Sequence, residues 1–121
     1  MIREALTMVA EALAGEGLRV AYRAGDLTPP VVYVRIANTE DAGVMFAGGL
    51  VVTFACYYIP IRGVDNAEGD ADALDAIFRA LRPLAVTALA APYGSVTINQ
   101  ETWPCYRADL AALALEPSEA R

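Results

Sequence analysis

Ile2, Leu6, Val9 and Leu13 recur at intervals of four, three and four, the period of a helix with a single apolar stripe. Glu4 and Glu11 fall off that stripe. Gly15 and Gly17 supply the stop, because glycine accepts the left-handed conformation that ends helices. The period then changes to two. In "LRVAYR", Leu18, Val20 and Tyr22 alternate with Arg19, Ala21 and Arg23, which predicts a strand with one wet face. "GDLTPP" interrupts it, since consecutive prolines cannot donate to a ladder. "VVYVRIA" predicts a second strand, followed by the polar, glycine-bearing connection "NTEDAGVMFAGG".

The least polar run is "LVVTFACYYIPIRG", residues 50–63, a third strand ending near Pro60 or Arg62. It carries large apolar side chains on both sides. Leu50, Val52, Phe54, Cys56 and Tyr58 share the side suited to packing beneath helices. Val51, Thr53, Ala55, Tyr57 and Ile59 share the other. Leaving Val51, Tyr57 and Ile59 in water would forgo about 1.5–3 kcal/mol for each of the larger side chains, so cover is expected. Two sources are open: a curled sheet covered by the 38–49 loop or the C-terminal segment, or another subunit. The periodicity does not separate them. Val51, Tyr57 and Ile59 are therefore candidate interface residues. Met45 and Phe46, set among glycines in the preceding connection, join them. So does Trp103, which stands in a predicted turn either as a cap on the sheet edge or as an interface anchor.

Downstream, "GVDNAEGD" predicts a loop, with Asp70 as the N-cap of the helix that follows. In "ADALDAIFRALRPL", Leu74, Ile77, Phe78 and Leu81 fall on one face, with acids early and arginines late, as the helix dipole favours. Pro83 breaks or kinks this helix, and "LAVTALAA" is expected to continue as a short helical piece before Pro92 and Gly94. "SVTINQETW" predicts one strand with Val96 and Ile98 on a common face. "CYRADLAALALEP" satisfies both templates, because Ala and Leu are strong helix formers while Tyr106, Ala108, Leu110 and Ala112 also alternate. The order of elements predicts an α+β fold, a mostly antiparallel sheet of about five strands with two main helices on one face. Residues 1–115 are expected to form a single domain and 116–121 a flexible tail.

Composition narrows the chemistry. All nine basic residues are arginine, and the chain has neither lysine nor histidine. Schiff-base lysine, a phosphate-loop lysine, imidazole acid–base catalysis and histidine-ligated metal are thereby removed. Serine occurs only at 95 and 118, outside any nucleophile elbow. Asp65, Glu68, Asp70 and Asp72 lack the spacing of a calcium loop and read as a solvated turn entering a helix. No catalytic residue, cofactor or metal is expected. The formal charge of -6 disfavours nonspecific attraction to nucleic acid or anionic membrane. Cys56, between aromatic neighbours, reads as a small buried hydrophobe, and Cys105 as part-exposed. Two thiols without a signal-like start favour a reducing compartment. Arg3, Glu4 and Glu11 at the start, and the short run from Leu50 to Ile61, predict a soluble protein rather than a membrane-anchored one.

Taken in order, the N-terminal amphipathic helix, "LRV", "TPPVVYV", a long loop, "GGLVVTFACYYIPIRG", "DADALDAIFRAL" and "YRADLAAL" resemble the tail-terminator (tail-completion) proteins of long-tailed bacteriophages. The resemblance spans nearly the whole chain and rests on layout. It implies a virion protein, assembled in the host cytoplasm, whose homo-hexameric ring caps the tail tube and presents a surface to the head–tail connector. It also implies that the last segment is a sheet strand, although "ADLAALALEP" is richer in Ala and Leu than that role requires. The implied partners are further copies of the chain, the tail tube protein and the connector, with DNA passing through the bore unbound. Glu40 and Asp41 are candidate acids lining that bore. Other neck proteins share this size and layout. A small dimeric module holding a ligand or partner on the apolar second face is the alternative from a different class.

Overall fold

The computed structural model describes residues 1–43, 48–61, 63 and 66–115. Its elements are α1 (Ile2–Gly15), β1 (Val20–Ala21), β2 (Val31–Asp41), β3 (Gly49–Ile59), α2 (Ala67–Leu81), β4 (Tyr93–Ile98) and β5 (Glu101–Leu115). The strands form one sheet in the order β1-β2-β3-β5-β4. Every pairing is antiparallel except β1 with β2. This is the expected α+β architecture. The helices share one face of the sheet, where Ala5, Val9 and Leu13 of α1 and Ile77, Ala80 and Leu81 of α2 meet Val52, Phe54, Leu110 and Ala112.

The C-terminal segment is a strand despite its helix-forming composition. Ala108, Leu110, Ala112 and Ala114 alternate into the core beneath the helices. Small side chains at three of those four positions leave room for α1 and α2 to approach the sheet. Phe54 pairs with Leu110 and sits at the middle of this packing.

Four local expectations are corrected. First, α2 begins one turn early. Asn66, not Asp70, is its N-cap: the Asn66 Oδ1 accepts a hydrogen bond from the Gly69 amide at 3.0 Å. A Cβ at position 69 would fall on the Asn66 side chain, so glycine makes this cap possible. The early start also draws Glu68 and Asp70 into the positive first turn. Second, after the 3-10 turn Arg82–Leu84 no helix resumes. Ala85 bridges Ala112, and the Val86 amide donates to the Ala111 carbonyl at 2.8 Å. Hydrogen bonds to the edge of β5 here outweigh the helix propensity of "LAVTALAA".

Third, "SVTINQETW" is a hairpin rather than one strand. The chain reverses at Asn99 and Gln100, with φ of 52° and 67°. Both central residues lie in the left-handed region, as a two-residue hairpin turn following the twist of its strands requires. Thr97 and Thr102 face each other across the turn with their hydroxyls 3.0 Å apart. A left-handed conformation costs a non-glycine residue about 1–2 kcal/mol, and glycine gives back part of that through a freer unfolded chain. Gln100→Gly is therefore expected to stabilise the protein by about 0.5–1 kcal/mol, read as a rise of a few degrees in Tm. Fourth, Trp103 belongs to β5, paired with Val96, and not to a turn.

Candidate assembly surface

The second face of the sheet divides into two halves. At one end the sheet curls upon itself. Ala21, Val31, Tyr33, Ala55, Tyr57, Ile59, Val96, Ile98 and Cys105 form a second core, with Ala24, Leu27 and Trp103 packed against it. The cover comes from the 3-10 turn Ala24–Asp26 with Leu27 on one side and from the β4–β5 hairpin on the other.

This corrects the expectation for two candidate interface residues. Tyr57 is 7% exposed and Ile59 0% within a single chain, so neither needs a neighbouring subunit for its burial. A sheet that covers its own second face is one of the two sources anticipated, but the covering elements are the turn with Leu27 and the β4–β5 hairpin instead of the 38–49 loop or the C-terminal segment. Trp103 is half-buried against the same core. Met45 and Phe46 lie outside the described residues, as does the tail at 116–121.

At its other end the second face is only partly covered. Val51 pairs with Leu113, and Thr53 with Ala111, and all four remain half-buried. Glu40, in register with Val51, and Asp41, in register with Leu50, are exposed at the end of β2. Leu113 also lines a cleft with Ala5, Met8, Val9, Leu84 and Ala112. An apolar belt thus runs from Val51 through Leu113, around the margin of β5, to Met8 and Leu84. Met8 is 57% exposed. Val86, whose amide is bonded to β5 beside this belt, is 53% exposed.

Met8, Leu84, Val86 and Leu113 were not singled out by the sequence pattern. Met8 did carry a signal, being apolar yet off the Ile2–Leu13 stripe. Leu113 had the opposite parity to the core-facing residues of β5. Val86 became exposed only because its segment is extended.

Between the two halves, the Arg107 guanidinium lies 5.4 Å from the centre of the Tyr57 ring, and its Nε donates to Asp109 Oδ1 at 2.8 Å. The hydrogen bond to Asp109 raises the Arg107 pKa. This pair closes the wet border of the second core. On the helix face, Tyr58, Tyr106 and Tyr93 form an aromatic row, stacked between Tyr58 and Tyr106 and edge-on between Tyr106 and Tyr93.

Both cysteines are buried and free. Cys56 belongs to the helix-side core and Cys105 to the second core, so the sheet separates them and a disulfide is precluded. The burial of Cys105 corrects the part-exposed expectation. Burial pushes the Cys56 thiol up to about 12, with Asp109 adding to it, and raises Cys105 as well. Neither thiol is poised as a nucleophile at neutral pH.

No protein-family model matches this chain, and no curated protein matches its sequence. Among the described residues no helix is long and apolar enough to cross a membrane.

Proposed function

We propose that the protein is a structural assembly protein of a bacteriophage tail, a terminator whose copies form a hexameric ring on the tail tube and meet the head–tail connector. The observation that carries this reading is the apolar belt from Val51 and Leu113 to Met8 and Val86. Exposed, contiguous apolar surface of this kind marks protein contacts. Its asymmetric position, at one margin of the sheet, suits a head-to-tail contact between copies, the type that closes into rings. The fold-level likeness in element order adds to the reading by analogy only.

Glu40 and Asp41 stand exposed at the end of the sheet that carries Val51. In a ring with that end turned inward, their charge repels DNA phosphates and keeps the passing duplex from sticking. The alternative, a dimeric module gripping a ligand on its second face, is weakened because Val96, Ile98 and Leu27 already fill the lower half of that face.

Electron microscopy tests the ring. The protein mixed with assembled tubes of the tail protein encoded by the same genome is expected to cap tube ends with six-fold rings, and Met8→Glu, at an exposed position, is expected to abolish capping without unfolding the protomer. Bare tube ends that continue to elongate in the presence of the folded protein would overturn the reading.

A further inference from the structure

The outer edge of β2 is left open. β3 pairs with β2 along its length, whereas β1 covers the opposite edge only at Val32 and Tyr33. From Val34 to Asp41 no strand lies on that edge among the described residues, and every residue from 35 to 41 is exposed. Its main-chain donors and acceptors form a template for another strand.

The charges along this edge select the partner and the direction. Arg35 pairs in register with Ala55 and Glu40 with Val51, and both partners belong to the second face of β3. Arg35 and Glu40 therefore project from the same face although five residues separate them. In a regular strand an odd separation puts two side chains on opposite faces. The irregularity between Ile36 and Asn38 inserts Ala37 and resets the alternation. Neither Arg35 nor Glu40 has an ion-pair partner among the described residues.

We propose that two copies of the chain pair antiparallel through this edge about a two-fold axis between Ala37 and Asn38. Arg35 then stands opposite the partner's Glu40, Ile36 opposite the partner's Thr39, and Ala37 opposite the partner's Asn38. The first two pairs match in face as well as in position. The axis also falls at the midpoint of the open stretch 34–41, so each copy's β1 clears the end of the other's β2. A parallel arrangement would set Arg35 beside the partner's Arg35, which is destabilising. The product is one continuous sheet made from two five-stranded ones, with both helix layers on the same side.

This contact is isologous and cannot by itself close a six-membered ring. It is separate from the belt at Met8 and stands whether or not the ring reading holds. Because it engages Glu40, a ring that turns Glu40 toward its bore requires the pair to open first.

Sedimentation equilibrium of the full chain over a wide concentration range tests the proposal. The mass is expected to rise from the 12.8 kDa protomer to twice that value. Arg35→Glu and Glu40→Arg alone are each expected to weaken pairing about tenfold, since symmetry makes each substitution act twice. The double variant R35E/E40R is expected to restore it. Circular dichroism of each variant establishes that these exposed substitutions leave the fold intact. A protomer mass at every concentration would overturn the proposal and make the charges and bulge guards against pairing. So would a dimer indifferent to both single reversals.

Discussion

Phe54→Ala is expected to lower the unfolding free energy by about 3–5 kcal/mol. Phe54 is 0% exposed, at the centre of β3, with β2 on one side and β5 on the other. It lies in the cluster that joins both helices to the sheet, so removing the ring leaves a void that backbone hydrogen bonds on both flanks keep from collapsing. Against the ~5–15 kcal/mol typical of a whole domain, that loss brings the protein near its threshold. Urea denaturation checks it: the midpoint falls steeply while the slope, which tracks the surface exposed on unfolding, is unchanged. A loss below about 1 kcal/mol would mean that the helices do not pack on this face.

Ile59→Ala carries the second large effect, and its dependence on protein concentration matters as much as its size. Ile59 is enclosed by its own chain, so a loss of about 2–5 kcal/mol is expected. The loss should be the same in dilute and concentrated protein, because no second molecule supplies the cover. If association covered this side chain instead, the effect would fade in dilute protein, following mass action. Met8→Glu gives the contrast. At an exposed position it is expected to change stability by no more than about 0.5 kcal/mol. Comparing the two variants separates surface that the protomer buries for itself from surface it leaves open.

The different legibility of these positions has a physical basis. The α1 stripe and the helix-facing side of β3 were readable because both answer to a local period, 3.6 or 2, that needs no knowledge of distant residues. The start of α2 was misplaced because "DNAEGD" holds several residues able to cap, and the choice fell to the one whose side chain reaches the Gly69 amide. The hairpin between β4 and β5 was hidden because Asn-Gln lacks the glycine that normally announces a left-handed turn. For β5, composition favoured helix, and the strand was expected only through the resemblance. What holds it as a strand is its position between β3 and β4, where it completes their hydrogen bonding.

Among the candidate interface residues, Val51 keeps a half-buried place beside Leu113, whereas Tyr57 and Ile59 belong to the interior. All three have the same parity on the same strand, so no pattern in the run itself distinguishes them. The difference lies in what curls over each end of the sheet.

By itself, then, the order of apolar and polar residues determined the two main helices, the strands β2 and β3, the face each helix buries, and the need for cover on both sides of β3. Tertiary structure alone decided where that cover comes from and where it stops. The reason is that alternation records which side of a strand is apolar and carries no measure of sheet curvature. Leu27, Ile59 and Ile98 belong to one core although they come from three separate segments of the chain, a grouping that no local period records.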